Sequence, residues 1–233
     1  MASPKKSRKT KEAKDSWAEL DTAMATMPEG QRKIFEAAVD EFAEQGFAGS
    51  STLAIAERAG VSEGLIFKYF KSKAALLRQV VFPVLATAIM PLAIRGVKTV
   101  TDVQHESFGE FLAALIRERL DFARRHKKHL RILLQELPLN EELRNRMVKG
   151  LQTQLLPVIS QKIAHYQKLG KLRQMPVDQM LSYLVPQVMG FVLSRAVFAF
   201  EFAANEEQDI KTLIEVMLHG VAIPEQHLKK EKK

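Results

Sequence analysis

The sequence has no cysteine among its 233 residues, and it has no long uninterrupted apolar run. The first absence excludes disulfides, thiol nucleophiles and cysteine-ligated zinc or iron–sulfur sites. The most apolar stretch, FVLSRAVFAFEFAA, is interrupted by Arg195 and Glu201, so no membrane-spanning helix is expected. The N-terminal segment MASPKKSRKTKEAKD lacks the apolar region of a secretory signal. Together these absences predict a soluble cytoplasmic protein.

The motifs of common enzyme classes are also missing. The chain has no glycine-rich phosphate loop and no nucleophile elbow, and its six histidines are scattered without acidic partners. His126 and His129 have a spacing at which a helix can bind a metal, but they lie in the basic run ARRHKKHLR, which favours a solvated basic face. We therefore expect no enzyme activity, no metal and no cofactor.

The net charge of +8 comes mostly from the two ends of the chain. Residues 1–15 contribute +4 and residues 225–233 contribute +2, which leaves +2 for the 209 residues between them. The basic N-terminal arm either reaches along DNA or is a solubilising tail. Net charge alone is therefore weak support for nucleic-acid binding. A hydrophobic content of 46% is ample for a folded core.

The stretch from Ser51 to Leu77 contains two short helical patterns that meet at one glycine. Ala56 is small enough to let the two helices approach, and Gly60 can end the first in the left-handed conformation. Ser62 can cap the second helix, and Ile66 can fill the crossing. This spacing predicts a helix-turn-helix, which places its second helix in the DNA major groove. An ordinary helical hairpin is the alternative, but the lysines in the second helix favour DNA.

Residues 31–77 resemble the N-terminal DNA-binding domain of the TetR family of transcriptional regulators. The resemblance is carried by IFEAAVDEFAEQGFAGSST and IAERAGVSEGLIFKYFKSKAALL, which occur in order. The rest of the chain is similar only in its helical pattern. The resemblance implies an all-α homodimer, with a three-helix DNA-binding head that contains the helix-turn-helix and a larger helical body for ligand binding and dimerisation.

The N-terminal part of the second helix of this motif is expected to meet base edges. Lys68 can donate to guanine, Leu65 can contact a thymine methyl, and Glu63 can accept from cytosine N4. Side chains further along are expected to position the head on phosphates. The full predicted DNA-binding set is Thr52, Ser62, Glu63, Gly64, Leu65, Phe67, Lys68, Tyr69, Lys71 and Lys73.

Three hydroxyls precede the first helix of the motif, at Ser50, Ser51 and Thr52. Each is a candidate helix cap, and one is expected to face a phosphate; the resemblance selects Thr52. Two positions depart from the family pattern, which commonly has Lys or Arg where this chain has Glu63 and Tyr where it has Phe67. Both departures remove expected phosphate contacts.

The predicted organisation is a basic arm with a short helix at 1–27, a DNA-binding domain at 28–77, a body at 78–224 and a basic tail at 225–233. The first firm helix is expected to run from Pro28 to Gly46. Pro83 is expected to kink or end the fourth helix, Pro91 to stop it near Met90, and the segment around Gly96 to form a loop. One helix bent at a proline, Pro157, is expected over 140–168.

The resemblance implies a ligand cavity in the body, and each candidate wall residue is alternatively plain core. Embedded polar side chains (Gln154, Gln187 and Arg195) either orient a ligand or satisfy the backbone near prolines. An apolar or amphipathic small molecule is the implied effector. The candidate ligand-binding residues are Phe111, Leu115, Met147, Leu151, Met189 and Phe191.

The last two helical patterns favour a dimer. The segment 176–204 is apolar on most sides, so a helix there must pack against more than one neighbour. The final helix has one apolar face, formed by Ile210, Leu213, Ile214, Met217 and Leu218. We expect these two helices to form a four-helix interface with their symmetry mates, although both can instead complete the core of one protomer.

The sequence therefore predicts a DNA-binding transcriptional regulator, acting as a repressor that an unidentified small molecule releases from a palindromic operator. The alternative is an architectural or replication-linked DNA-binding protein of the same fold without an effector.

Overall fold

The computed structural model describes residues 27–200 and 205–221. Several predictions therefore lie outside the described residues: the basic arm and short helix, the last residues of the apolar segment at 201–204, and the basic tail. Within the described ranges the chain forms nine helices and no strand, and none of these helices is long and apolar enough to cross a membrane.

The first four helices are joined by short connections. α4 is one continuous helical run, and its five segments alternate between α and π geometry. The bounds are α1 Glu29–Gly49, α2 Thr52–Ala59, α3 Glu63–Tyr69, and α4 in segments Lys73–Leu76, Leu77–Val81, Phe82–Val84, Leu85–Ile89 and Met90–Thr101.

The remaining five helices follow in sequence, and α7 also contains a π turn. The bounds are α5 Phe108–Arg125, α6 Lys127–Glu136, α7 in segments Glu141–Gly150, Leu151–Leu155 and Leu156–Lys168, α8 Val177–Ala196 and α9 Glu206–Val221. The described residues divide into two compact units. The first extends to Leu92 and includes Lys128–Val148, and the second contains Ala93–Lys127 and the residues from Lys149 onward.

The first unit has a core built from the predicted helix faces. Ile34, Ala38 and Phe42 are buried on one stripe of α1, as their spacing predicts. Gly46 interrupts α1 with a φ of 72°, where the sequence predicts its end. The ring of Phe47 then lies 5.9 Å from that of Phe42, so the chain folds back onto its own helix.

Three prolines follow a π turn inside a helical run, and the prediction that Pro91 stops the fourth helix is wrong. In each case the residue before the proline donates to the carbonyl five residues earlier: Phe82 to Leu77, Met90 to Leu85, and Leu156 to Leu151. A π turn widens the helix and places the proline, which lacks an N–H, where the ring fits. Gly96 consequently lies inside the last segment of α4, and only residues 102–107 form the connection to α5.

The predicted apolar stripe of α5 is confirmed, because Phe108, Phe111, Leu112, Leu115 and Ile116 are all buried. The long helix that contains Pro157 is also present as α7, which continues through a π turn rather than breaking at the proline, and Gly170 follows its end with a φ of 68°.

Two predictions about the later helices are corrected. His126 is buried, with its ring 4.6 Å from that of Phe122, and His129 is half-buried with a pKa lowered by burial and then by Lys128. A solvated basic face is therefore wrong for these two side chains. The long apolar helix ends at Ala196 rather than at residue 204, since the backbone leaves helical geometry and Ala199 takes a φ of 57°.

Candidate nucleic-acid interface

The turn between α2 and α3 has the geometry that its sequence predicts. Gly60 takes a φ of 66°, and its N–H donates to the carbonyl of Glu57. The N–H of Val61 reaches the carbonyl of Ala56 at 3.0 Å, which closes the C-terminus of α2. Ala56 is buried beneath this turn. The two helices are thus held in a fixed angle by bonds within a few residues.

α3 has a buried face and an exposed face. Ile66 and Phe70 are buried one turn apart, and they anchor the helix to the core. Gly64 and Lys68 are exposed on the opposite side, where Phe67 also remains 49% exposed. A half-exposed aromatic ring beside a lysine is unusual on a solvated surface, but it suits a helix that enters a groove.

Two predicted contact residues of α3 pack partly against the protein. A Cβ placed on Gly30, near the start of α1, would lie 3.5 Å from Leu65 Cδ2 and 3.7 Å from Tyr69 Cε2. Both side chains are half-buried there. Ser62 is the N-cap residue of α3 by its backbone, but its side chain makes no capping hydrogen bond. Lys71, just after the helix, is exposed.

The three hydroxyls before α2 have different partners. Ser50 Oγ donates to the carbonyl of Phe47 at 2.9 Å, and Thr52 Oγ1 donates to Glu63 Oε1 at 2.5 Å. Ser51 Oγ accepts from the N–H of Ala54 and so caps the helix, and within the described part of the chain its own proton has no acceptor. A hydroxyl has one proton to donate, so Ser51 is better placed than Thr52 to bind a phosphate.

Lys73 is held by the protein itself. Its Nζ donates to the carbonyls of Phe47 at 2.6 Å and Ser50 at 2.7 Å, and it lies 4.5 Å from the centre of the Phe47 ring. This half-buried ammonium joins the start of α4 to the connection between α1 and α2. Its role as a phosphate contact stays a prediction, but its first role is internal.

A charge cluster joins α1 and α2 on another side of the head. Arg58 donates to both carboxylate oxygens of Glu44, at 3.0 and 2.7 Å, and also approaches Glu41 and Asp40. The hydrogen bond to Arg58 lowers the pKa of Glu44 and raises that of Arg58. Lys128 of α6 binds Asp40 at 2.6 Å, so the carboxylates on this side of the head are paired with cations of the protein itself.

The predicted ligand-binding residues differ in burial. Phe111 and Leu115 are buried in the second unit, while Leu151 and Phe191 are half-buried there. Met147, also half-buried, belongs to the first unit.

Met189 is 43% exposed on the outer face of α8, so we assign it to that face rather than to a cavity wall. Gln187 donates to the carbonyl of Tyr183, and Arg195 binds Asp209, so both polar groups satisfy the protein.

The outer face of α8 is apolar. Tyr183 is 54% exposed, and Val185 and Met189 are exposed with it. A Cβ placed on Gly190 would meet no atom within 4 Å. Val216 of α9 is also exposed. The sequence predicts a dimer through α8 and the apolar face of α9, but Ile210, Ile214 and Met217 of that predicted face are buried within the protomer, and Val216 lies outside it.

The pairing of Thr52 with Glu63 is the feature that sequence reasoning missed. The two residues begin neighbouring helices eleven positions apart, and that spacing was visible in the sequence. Whether the side chains meet depends on the angle between the helices, which only the packed turn sets.

Comparison with known proteins gives consistent matches. Residues 34–80 match the family model of bacterial regulatory proteins, tetR family. The HTH-type transcriptional regulator RutR of Escherichia coli strain K12 is 32% identical over 151 residues, which are 64% of this chain and 66% of RutR, just under two thirds of its length.

Solved structures match over more of the chain at lower identity. The fatty acid degradation regulator FadR of Bacillus halodurans has a TM-score of 0.60 at 18% identity, covering 84% of this chain and 97% of that one. FadR of Bacillus subtilis, solved in complex with stearoyl-CoA, has a TM-score of 0.58 at 19% identity, covering 81% and 97%. At these identities the likeness is one of fold.

Proposed function

Because the chain belongs to the TetR family of transcriptional regulators, we propose that it represses transcription from a palindromic operator and is released by an apolar or amphipathic small molecule. The observation that carries the DNA-binding part is α3, which is anchored by Ile66 and Phe70 and presents Gly64, Phe67 and Lys68 outward. Lys68 is the proposed base contact, with Ser51 and Lys71 on phosphates.

A homodimer through α8 and α9 is part of this proposal. The exposed apolar side chains of α8 and Val216 of α9 support it, because an apolar face of this kind is stabilised by a partner. Two-fold symmetry would set the two copies of α3 about 34–36 Å apart, which matches successive major grooves on one side of the duplex.

The effector is proposed to act by shifting the equilibrium between conformations of the dimer. In one dimer conformation the two α3 helices fit the operator, and in another they do not. A ligand that binds more tightly to the second conformation favours release from DNA, and the size of the effect is set by the difference in its affinity for the two conformations. The buried aromatic and aliphatic side chains of the second unit, Phe111 and Leu115 among them, suit an apolar ligand. The stearoyl-CoA held by the FadR of Bacillus subtilis makes long-chain acyl-CoA a sensible first probe.

The test is selection of genomic DNA fragments by the purified protein, with sequencing of the retained DNA. We expect a short palindrome, and we expect Lys68→Ala to remove the preference at one position of each half-site. Lys71→Ala should instead weaken all sequences alike and reduce the salt slope by about 1. Retention without sequence preference would favour the architectural alternative.

The operator then becomes the probe for effectors. Fluorescence anisotropy of the labelled operator is measured against a panel of acyl-CoA thioesters and free fatty acids, with free coenzyme A as the polar control. Release by the acylated compounds alone supports an apolar effector. Release by free coenzyme A, or only by polar metabolites in a wider panel, contradicts the proposed ligand class.

A further inference from the structure

The hydrogen bond between Thr52 and Glu63 joins the first residues of the two helices of the motif. Thr52 Oγ1 donates to Glu63 Oε1 at 2.5 Å, and both side chains are half-buried. A threonine hydroxyl has a single proton, so while this bond exists Thr52 cannot also donate to a phosphate. The bond gives Thr52 a role toward Glu63, and a direct phosphate contact by Thr52 stays a prediction.

The carboxylate of Glu63 keeps capacity for a further donor. A carboxylate accepts at two oxygens, and the bond to Thr52 uses Oε1. Among the described residues no cation neutralises it, since the ion pairs of the head involve other acids. Glu63 also lies one turn before the exposed Phe67, on the side of α3 that is proposed to face DNA.

A carboxylate at this place restricts what it can meet on DNA. It is repelled by phosphates and by the acceptor atoms of guanine. Both cytosine N4 and adenine N6 are donors in the major groove, but adenine N6 stands beside the acceptor N7, which repels a carboxylate, so cytosine is the better partner. Left unrestrained, a glutamate side chain samples several rotamers and loses entropy on binding. Thr52 restrains one oxygen before DNA arrives and so reduces that loss.

On the basis of the proposed function, we infer that Thr52 is a positioning residue that holds the Glu63 carboxylate for a cytosine in each half-site of the operator. The pair acts as one specificity-determining unit: Glu63 contacts the base, and Thr52 acts through Glu63. Ser51 and Lys71 remain the phosphate contacts beside it.

The experiment measures competition at constant salt between the selected operator and a duplex series in which each half-site position carries all four base pairs. Wild-type protein should prefer a C·G pair at one position by about fivefold or more, the usual cost of one mismatched pair. Glu63→Ala should bring the four pairs at that position to within about twofold of one another, because the discriminating contact is lost. Glu63→Gln should move the preference to adenine, since a glutamine amide pairs with adenine N6 and N7.

Variants of Thr52 distinguish a role in positioning Glu63 from a phosphate contact or a purely structural role. Thr52→Val removes the hydroxyl at nearly constant shape and should at least halve the preference for cytosine at that position. Thr52→Ser retains the hydroxyl and should keep the preference, which makes it the matched control. The unfolding midpoint of every variant is measured alongside.

Three results would overturn the inference while leaving the proposed function intact. One is a wild-type protein with no preference for cytosine, or with a preference that Glu63→Ala leaves unchanged. Another is a Thr52→Val protein that binds all sequences more weakly with its base preference unchanged, which would make Thr52 a phosphate contact. The third is a Thr52→Val protein altered only in its unfolding midpoint, which would make the bond a structural brace. A wild-type protein without any sequence preference would overturn the proposed function and the inference together.

Discussion

Gly64 of α3 lies at a position where the protein itself leaves room for a larger side chain. It is exposed and helical, and a Cβ there would come no closer to other atoms than 4.0 Å, at Ser62 Oγ. A glycine inside a helix costs about 0.5–1 kcal/mol relative to alanine, so retaining it has a price in stability. Close approach of another molecule to this side of the helix is the physical reason that remains, and DNA is the proposed one.

Replacing Gly64 by alanine is expected to stabilise the protein and to weaken its binding to the operator. Gly64→Ala should raise the free energy of unfolding by about 0.5–1 kcal/mol and weaken operator binding, because the added methyl lies where the duplex approaches. Thermal unfolding and anisotropy on the same sample measure both. Gly60→Ala is the contrasting control, since its φ of 66° should make alanine destabilising. A Gly64→Ala protein that binds the operator unchanged would show that this side of α3 stays away from DNA.

At the scale of elements, the prolines and Lys73 show that the conformation of one segment depends on the segments next to it. Helix-ending signals were correct at Gly46 and Gly60, where a positive φ is needed. They were wrong at Pro91, because a π turn earlier in the same helix absorbs the missing donor. A proline shows that one hydrogen bond is lost, but it does not say whether the helix ends or widens.

Lys73 connects two elements, and its replacement tests that role. Lys73→Met keeps the aliphatic part of the side chain but removes two charge-assisted bonds to carbonyls. We expect the free energy of unfolding of the head to fall by about 1.5–3 kcal/mol. Operator and non-specific DNA should both bind more weakly, because the connection before α2 loses its anchor. Chemical denaturation followed by circular dichroism measures the stability.

Lys71→Met is the matched control for this substitution, since Lys71 is exposed two residues earlier. It should leave stability unchanged and make the salt dependence of DNA binding shallower by about 1 in slope. If Lys73→Met behaves in the same way, with unchanged stability and a shallower slope, its ammonium contacts a phosphate and the internal role is secondary.

At the scale of the whole molecule, the oligomeric state decides whether α3 can recognise a palindrome. In the proposed repressor, one copy of α3 contacts one half-site, and the second copy comes from a partner subunit. The inner side of α8 is buried by Met180, Leu184 and Val188, as expected for a helix that also completes the core of its own protomer. Its outer side is apolar as well, so the two interpretations of this helix are compatible.

The corresponding prediction places a charge on that outer side. Met189→Glu should dissociate the dimer, because a carboxylate buried between two apolar helices would lack a partner. Sedimentation velocity should show a monomer, and binding to the full palindrome should weaken toward that of a half-site. Gln152→Glu adds the same charge at an exposed polar position of α7 and should remain dimeric. A Met189→Glu protein that stays dimeric would place the interface elsewhere.

The sequence by itself determined the helix-turn-helix, its buried residues and the apolar stripes of α1 and α5. These features depend on signals that act within a few residues: a glycine with a left-handed φ, the Ser51 hydroxyl that caps α2, and apolar side chains one turn apart. Tertiary structure alone decided which polar groups remain available for DNA. Thr52 and Lys73 were indistinguishable in sequence from surface contacts, and only packing brought Glu63 and the carbonyls of Phe47 and Ser50 within reach of their donors. Each of these hydrogen bonds joins groups on different elements, so it forms only when those elements have packed against each other.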